Sequence, residues 1–201
     1  MYFIKKTQKE KLEIFDREWE NANVADIAVI NWKEFSYAPK TTAKILYNES
    51  GIWVQMQTDE QDLLARCTKQ NGPVSDDSCM EFFFRPNEND PRYLNFEYNA
   101  FGTMYCAVRT GRFDSVKPKV DKKDFCVETY VEEGNWILQY FVPFSFIESI
   151  FGSYTKTMYA NLYKIGVDTK FEHYVSYAPI NADEPDFHRP ECFVEFVLED
   201  F

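Results

Sequence analysis

Apolar and polar positions alternate in short runs along most of the chain, the period-two signature of half-buried strands. In Thr41 to Tyr47, Ala43, Ile45 and Tyr47 fall on one face. Asn48-Glu49-Ser50-Gly51 then reads as a turn, and Ile52 to Thr58 returns, so the two runs predict a hairpin. Cys79 to Arg85 reads as a further strand stopped by Pro86. Tyr93 to Asn99 and Thr103 to Arg109 predict a second hairpin around Phe101-Gly102, and Phe125 to Val131 with Trp136 to Val142 a third around Glu133-Gly134. Met158 to Lys164, Tyr174 to Tyr177 and Phe193 to Leu198 complete the set. About ten strands at hairpin spacing point to an antiparallel sandwich.

Helical periodicity is scarce. Ser145-Phe146-Ile147-Glu148 has capping-box spacing, which would set the Ser145 side chain on the Glu148 N–H. Phe146, Ile147, Ile150 and Phe151 supply an apolar stripe, and Gly152 can end the helix. A second short helix is expected near Ile30 to Phe35. There is no internal repeat, no linker rich in Gly, Ser or Pro, and no shift in composition. The expectation is all-β: an antiparallel, jelly-roll-like β-sandwich with one or two short helices, residues 1–201 forming a single domain.

Strand phase divides the side chains into two sets. Met80, Phe82 and Phe84 oppose Glu81, Phe83 and Arg85; Leu94, Phe96 and Tyr98 oppose Tyr93, Asn95, Glu97 and Asn99. Met104, Cys106 and Val108 oppose Thr103, Tyr105, Ala107 and Arg109, and Tyr159, Asn161 and Tyr163 share a face. The second set reads as an outer face. Any sandwich has a solvated face, but this one carries amides, carboxylates, guanidinium and phenols rather than Lys, Thr and Ser. Such groups bond vicinal hydroxyls in pairs, and aromatic rings cover the C–H face of a sugar.

Composition narrows the alternatives. Aromatic residues make up 18% of the chain against only 7 Gly, which excludes low-complexity and disordered classes and favours strands. A net charge of −11 without a Lys/Arg run argues against nucleic acid and anionic membrane as partners. No apolar run approaches the roughly 20 residues of a membrane helix. The first twenty residues do not read as a secretory signal, so the expected location is cytoplasmic, or extracellular if the chain was cut from a longer one. Five scattered cysteines without a C-x-x-C pair read as reduced thiols, with Cys79, Cys106 and Cys126 expected to pack as small apolar groups.

Several segments, in order, carry a likeness to a known family: Asn31-Trp32, Thr41 to Tyr47, Gly51-Ile52-Trp53-Val54, Asp77-Ser78-Cys79-Met80-Glu81-Phe82-Phe83-Phe84 and Tyr93 to Asn99. Val142-Pro143-Phe144, Asn161-Leu162-Tyr163 and Phe187-His188-Arg189-Pro190-Glu191-Cys192-Phe193 follow. The chain resembles the family 9 carbohydrate-binding modules and their stand-alone bacterial relatives. The resemblance implies a β-sandwich that binds a small sugar or chain end without cleaving it, in a slot between two Trp rings with Glu, Arg and Asn/Gln side chains bonding hydroxyls. Glu81 matches the family Glu, Phe187 falls at the second clamping aromatic, and Asn161 and Tyr163 lie on the strand that supplies polar contacts. The chain departs from the pattern in two places. Gly72-Pro73-Val74-Ser75 has no aromatic where the first Trp would stand, and Glu97 occupies the position of the Arg, whose charge Arg85 or Arg109 could supply. Some relatives bind structural calcium; the acidic surplus permits it here, but no D-x-D-x-D-G loop is present.

The expected ligand-binding set is therefore Glu81, Arg85, Asn95, Glu97, Asn99, Arg109, Asn161, Tyr163, Phe187 and His188, the last at the slot edge, with a mono- or oligosaccharide as partner and no obligatory cofactor. His173 is expected on the surface. Only these two His exist, which leaves too few ligands for a catalytic zinc and little for a triad. Two other readings stay open: a sugar-modifying hydrolase using a carboxylate pair such as Glu81 and Glu97, and a protein-interaction module on the same surface.

Overall fold

The computed structural model describes residues 1–201. In chain order the strands are β1 (Tyr2–Lys6), β2 (Val24–Ile27), β3 (Val29–Ile30), β4 (Thr41–Asn48), β5 (Gly51–Thr58), β6 (Cys79–Arg85) and β7 (Tyr93–Asn99). Next come β8 (Met104–Arg109), β9 (Glu128–Glu132), β10 (Asn135–Pro143), the helix α1 (Phe144–Phe151), β11 (Thr157–Gly166), β12 (His173–Ser176) and β13 (Val194–Leu198). One layer runs β8-β7-β6-β11-β13-β1 and the other β1-β4-β5-β10-β9. β1 belongs to both: Tyr2 to Ile4 pair with β13, and Lys5 and Lys6 pair with β4, each time in parallel. All other pairings are antiparallel. The result is the expected β-sandwich.

The alternation read from the sequence fills its interior. Met80, Phe82 and Phe84 from β6 and Leu94, Phe96 and Tyr98 from β7 face Ile45, Val54 and Tyr140 of the opposite layer, all sealed from solvent. Each such side chain stabilises the fold by about 1.5–3 kcal/mol relative to exposure. The β4–β5 hairpin closes where expected, because Asn48 Oδ1 accepts hydrogen bonds from the Ser50 and Gly51 amides at 2.9 and 3.1 Å. Gly51 is required there. A Cβ on it would stand 2.4 Å from the Val142 carbonyl oxygen and 2.6 Å from the Phe141 ring. Gly51→Ala is expected to cost about 1–3 kcal/mol, seen as a lower urea midpoint at unchanged slope.

Three local expectations need correction. The helix begins two residues earlier than the capping box required: Pro143, with extended φ/ψ, is its N-cap and has no side-chain acceptor to offer, so no side chain caps it. Gly152, at φ 78°, ends it as expected. Ile30 to Phe35 is not helical; β3 occupies Val29–Ile30 and pairs with β12, and a turn closed by the Phe35 N–H to Trp32 carbonyl bond follows. The run from Phe125 starts as a strand only at Glu128, because Cys126 takes a left-handed conformation (φ 45°) at the end of a 3-10 turn and is half-buried.

The larger correction concerns the outer faces, which are covered rather than solvated. Residues 7–23 pack Leu12, Trp19 and Ala22 onto Leu46 and Trp53. On the other layer, the connection between β12 and β13 folds back over β6, β7 and β11, bringing Ile180, Phe187 and Phe193 against Cys79, Phe83, Tyr93 and Tyr163. Period-two alternation therefore marks which side a residue takes, while both sides are dry over much of the sheet.

His173 also departs from expectation, being fully buried. Its Nδ1–H donates to the Phe171 carbonyl at 2.6 Å, so Nε2 is free to accept from the Lys164 ammonium at 2.9 Å. Lys164 is equally sealed; it pairs with Glu60 Oε2 at 2.9 Å and donates to the Ile165 carbonyl. Ser78 Oγ donates to Glu60 Oε1 at 2.8 Å. Burial, reinforced by the Lys164 charge, holds the His173 pKa down to about 3. Thus a lysine on the inner face of β11 is neutralised by a carboxylate from the segment after β5.

Candidate functional site

Beside the covering connection, a cleft of about 390 Å³ opens onto β6 and β7. Its floor is Glu81 of β6 and Glu97 of β7, which stand directly opposite each other in register. Ile165, Val167 and Phe187 supply apolar walls, and Tyr174, Arg112 and His188 reach its rim.

Both floor carboxylates are almost completely buried, 3% and 7% exposed. Asn95 Nδ2 donates to Glu97 Oε1 at 2.9 Å, whereas the hydrogen-bond partner of Glu81 is the weakly donating Cys79 thiol at 3.9 Å. Burial pushes the Glu81 carboxyl well above the usual range, and the neighbouring Glu97 charge pushes it the same way. Burial also raises Glu97, to about 6, against the opposing pull of the Asn95 donor and the Arg109 charge. The Cys79 thiol, fully buried, is raised well above its ordinary value for the same reason.

The nearest cations do not bond to this pair. Arg109 Nε donates to Asn95 Oδ1 at 2.9 Å, and its other nitrogens reach the Tyr105 hydroxyl and the Arg112 carbonyl, both at 2.9 Å. A hydrogen-bonded line thus runs from Glu97 through Asn95 and Arg109 to the loop that carries Arg112. The Arg112 guanidinium is in turn spent on the Pro185 carbonyl (3.3 Å) and Asp186 (3.6 Å).

Phe187 is set by packing. Its ring stacks on Tyr163 at 4.2 Å between centroids, with an interplanar angle of 11°, and the Tyr163 hydroxyl donates to the Phe187 carbonyl at 3.2 Å. His188 stacks on Phe83 at 5.1 Å, shares a 3.0 Å hydrogen bond with the Tyr93 hydroxyl, and is held by burial near a pKa of about 4.

Of the ten residues expected at the site, Glu81, Glu97, Phe187 and His188 line the cleft. Asn95, Arg109 and Tyr163 stand behind it: Asn95, itself held by Arg109, bonds Glu97, and Tyr163 fixes Phe187. Asn99, Asn161 and Arg85 lie elsewhere, each for an identifiable reason. Asn99 is consumed by the Cys67 carbonyl, Asp77 and the amides of Phe101 and Thr103. Asn161 is consumed by both backbone groups of Ala178 and its neighbour's amide, and so pins the covering connection. Arg85 lies over the Tyr159 ring at 4.9 Å. Sequence reasoning missed Arg112, Tyr174 and Asp186. Asp186 adjoins Phe187 and could have been found by extending that segment, but nothing in the sequence ties Arg112 to this cleft.

Cys79, Glu81 and Glu97 each bring one potential metal-binding atom within 4.8 Å of the other two. A thiol and two carboxylates do not make a calcium site, which calls for six to eight oxygen ligands.

A family model, carbohydrate-binding family 9, matches residues 12–198. The chain belongs to carbohydrate-binding family 9. Among solved structures, a candidate carbohydrate-binding protein from Bacteroides uniformis ATCC 8492 is 25% identical, with 98% of each chain covered and a TM-score of 0.82. A family 9 module from Caldicellulosiruptor kristjanssonii in complex with glucose is 11% identical, covering 98% of this chain and 94% of its own, at a TM-score of 0.69. The same organism's module with cellotriose gives 11% and 0.68, covering 92% of that chain. At that identity the two complexes establish a shared family 9 fold. No curated protein matches the chain.

Proposed function

We propose that the protein binds a small sugar or the end of a sugar chain, without cleaving it, in the cleft floored by Glu81 and Glu97. The observation that carries this reading is the pairing of that polar floor with the Phe187 wall: paired acceptors for hydroxyls beneath, an apolar ring face beside. Family membership supports it, as do the glucose and cellotriose held by relatives of the same fold. Affinity is expected to be modest, because the floor must be desolvated before it can bond.

Hydrolysis is the rival chemistry. Catalysis by two carboxylates requires them to flank the scissile bond. Glu81 and Glu97 are nearest cross-strand neighbours on one face and sit beneath the ligand together. The binding reading expects no turnover of activated aryl glycosides; turnover abolished by Glu81→Gln would replace it with the enzymatic one.

Calorimetric titration with mono- and oligosaccharides tests binding itself. Phe187→Leu, which keeps apolar bulk but removes the ring, is expected to weaken the responding sugar about tenfold while leaving the unfolding midpoint within a few degrees. Silence of the native protein across the panel would leave the protein-interaction alternative in possession of this surface.

A further inference from the structure

The cleft floor has two acids and no cation. Glu81 and Glu97 face one another, nearly sealed, and each positively charged group around them is engaged elsewhere. On β8, Arg109 bonds Asn95, Tyr105 and the Arg112 carbonyl. On β11, Lys164 lies toward the other side of the sheet with Glu60 and His173. Lys117 sits over the Tyr105 ring and donates to the Asn71 carbonyl, and Arg112 is held by Asp186. Of the remaining titratable neighbours, Asp76, Cys79, Tyr163, Tyr174 and Asp186 bring no positive charge, and burial holds His188 down to about 4, so it is neutral at pH 7. Glu81 meets no nitrogen or hydroxyl donor at all; its partner is a thiol. A buried carboxylate left this way is costly unless a ligand completes it.

We propose that the cleft selects sugars bearing a protonated amine, the ammonium seating between Glu81 and Glu97. This rests on the sugar-binding reading above and names the ligand class. An ammonium supplies up to three donors and the missing positive charge, where a hydroxyl supplies one donor and no charge. The apolar walls of Ile165, Val167 and Phe187 keep water from screening the contact. Because the floor carboxyls hold protons more tightly than exposed ones do, seating the ammonium drives protons off them. Binding is therefore linked to proton release and weakens as the solution is acidified.

The test is calorimetric titration of the full chain with D-glucosamine, N-acetyl-D-glucosamine and D-glucose at pH 7 and pH 5, with EDTA present so that no divalent ion occupies the floor. At pH 7 glucosamine is expected to bind at least tenfold more tightly than the other two, with a heat that varies with buffer ionisation enthalpy. The advantage is expected to shrink at pH 5. Glu97→Gln, whose amide oxygen can still accept from Asn95, should erase the advantage, weakening glucosamine at least tenfold more than it weakens glucose. Glucose or N-acetylglucosamine binding as tightly as glucosamine would overturn this proposal and leave the sugar-binding reading standing. Silence of all three sugars, with oligosaccharides also silent, would overturn both.

Discussion

Glu81→Gln is expected to make the protein more stable and a poorer binder at once. A neutral amide of the same shape removes the need to hold either a carboxylate or a raised-pKa carboxyl in an apolar floor beside Glu97. The sign follows from proton linkage. A carboxyl whose folded pKa is raised contributes stability below its unfolded pKa, and loses it as pH rises through the folded value. The variant's advantage is therefore near zero at pH 4 and largest at pH 8, about 2 kcal/mol. That corresponds to roughly 4–8 °C in unfolding midpoint for a domain of this size. Glu97, raised to about 6, shows the same trend over a narrower window. Sugar affinity is expected to fall about tenfold with the charge-assisted bond. Scanning calorimetry at the two pH values, beside a titration, reads both effects. A variant less stable than the native protein at pH 8 would mean that Glu81 is a structural ion-pair member, and not a group kept uncompensated for a ligand.

The opposite outcome is expected at Glu60, which is buried beside a cation. Glu60→Ala leaves the Lys164 ammonium, fully enclosed and held by Glu60 and His173, without its countercharge. Such a loss costs about 3–5 kcal/mol, enough to lower the denaturant midpoint sharply or prevent folding; Glu60→Gln, which retains an acceptor for Ser78, should fall between the two. His173 makes the same region acid-sensitive. Its folded pKa of about 3 lies below the unfolded value, so the unfolded chain takes up a proton first as pH falls. Stability from this group is complete above about pH 6.5 and disappears toward pH 3, roughly 3–5 kcal/mol over the window. His188, held near 4 by burial, tilts the curve the same way. Denaturant unfolding at stepped pH should show a reduced acid slope in His173→Gln; an unchanged slope would place the acid sensitivity elsewhere.

These two acids show what the sequence could and could not convey. Strand phase alone sent Glu81 and Glu97 to the same side of their strands; the β6–β7 register that sets them opposite each other comes from the structure. The same phase sent Asn99 and Asn161 there too, yet they bond loop backbone and Arg85 packs on Tyr159. Phase specifies a face; what covers the face depends on long connections whose path has no periodic signal. The segment from Tyr177 to Phe193 closes most of the sheet and leaves the cleft at one end, so the side chains that line the opening are chosen by the connection rather than by the strands. His173 was hidden for a related reason: its flanking Glu172 and Tyr174 read as exposed, and its partners Glu60 and Lys164 are remote in sequence. Phe187 was legible through family likeness, and the Tyr163 ring beneath it explains why that position is rigid.

Sugar is expected to occupy the opening between the floor carboxylates and the Phe187 ring. Chemical-shift mapping of an isotope-labelled sample during sugar titration tests it most directly. Saturable shifts should gather at Glu81, Glu97, Phe187 and His188, with β4, β5 and the helix α1 unmoved. Shifts centred on those distant elements, or none at saturating oligosaccharide, would contradict it.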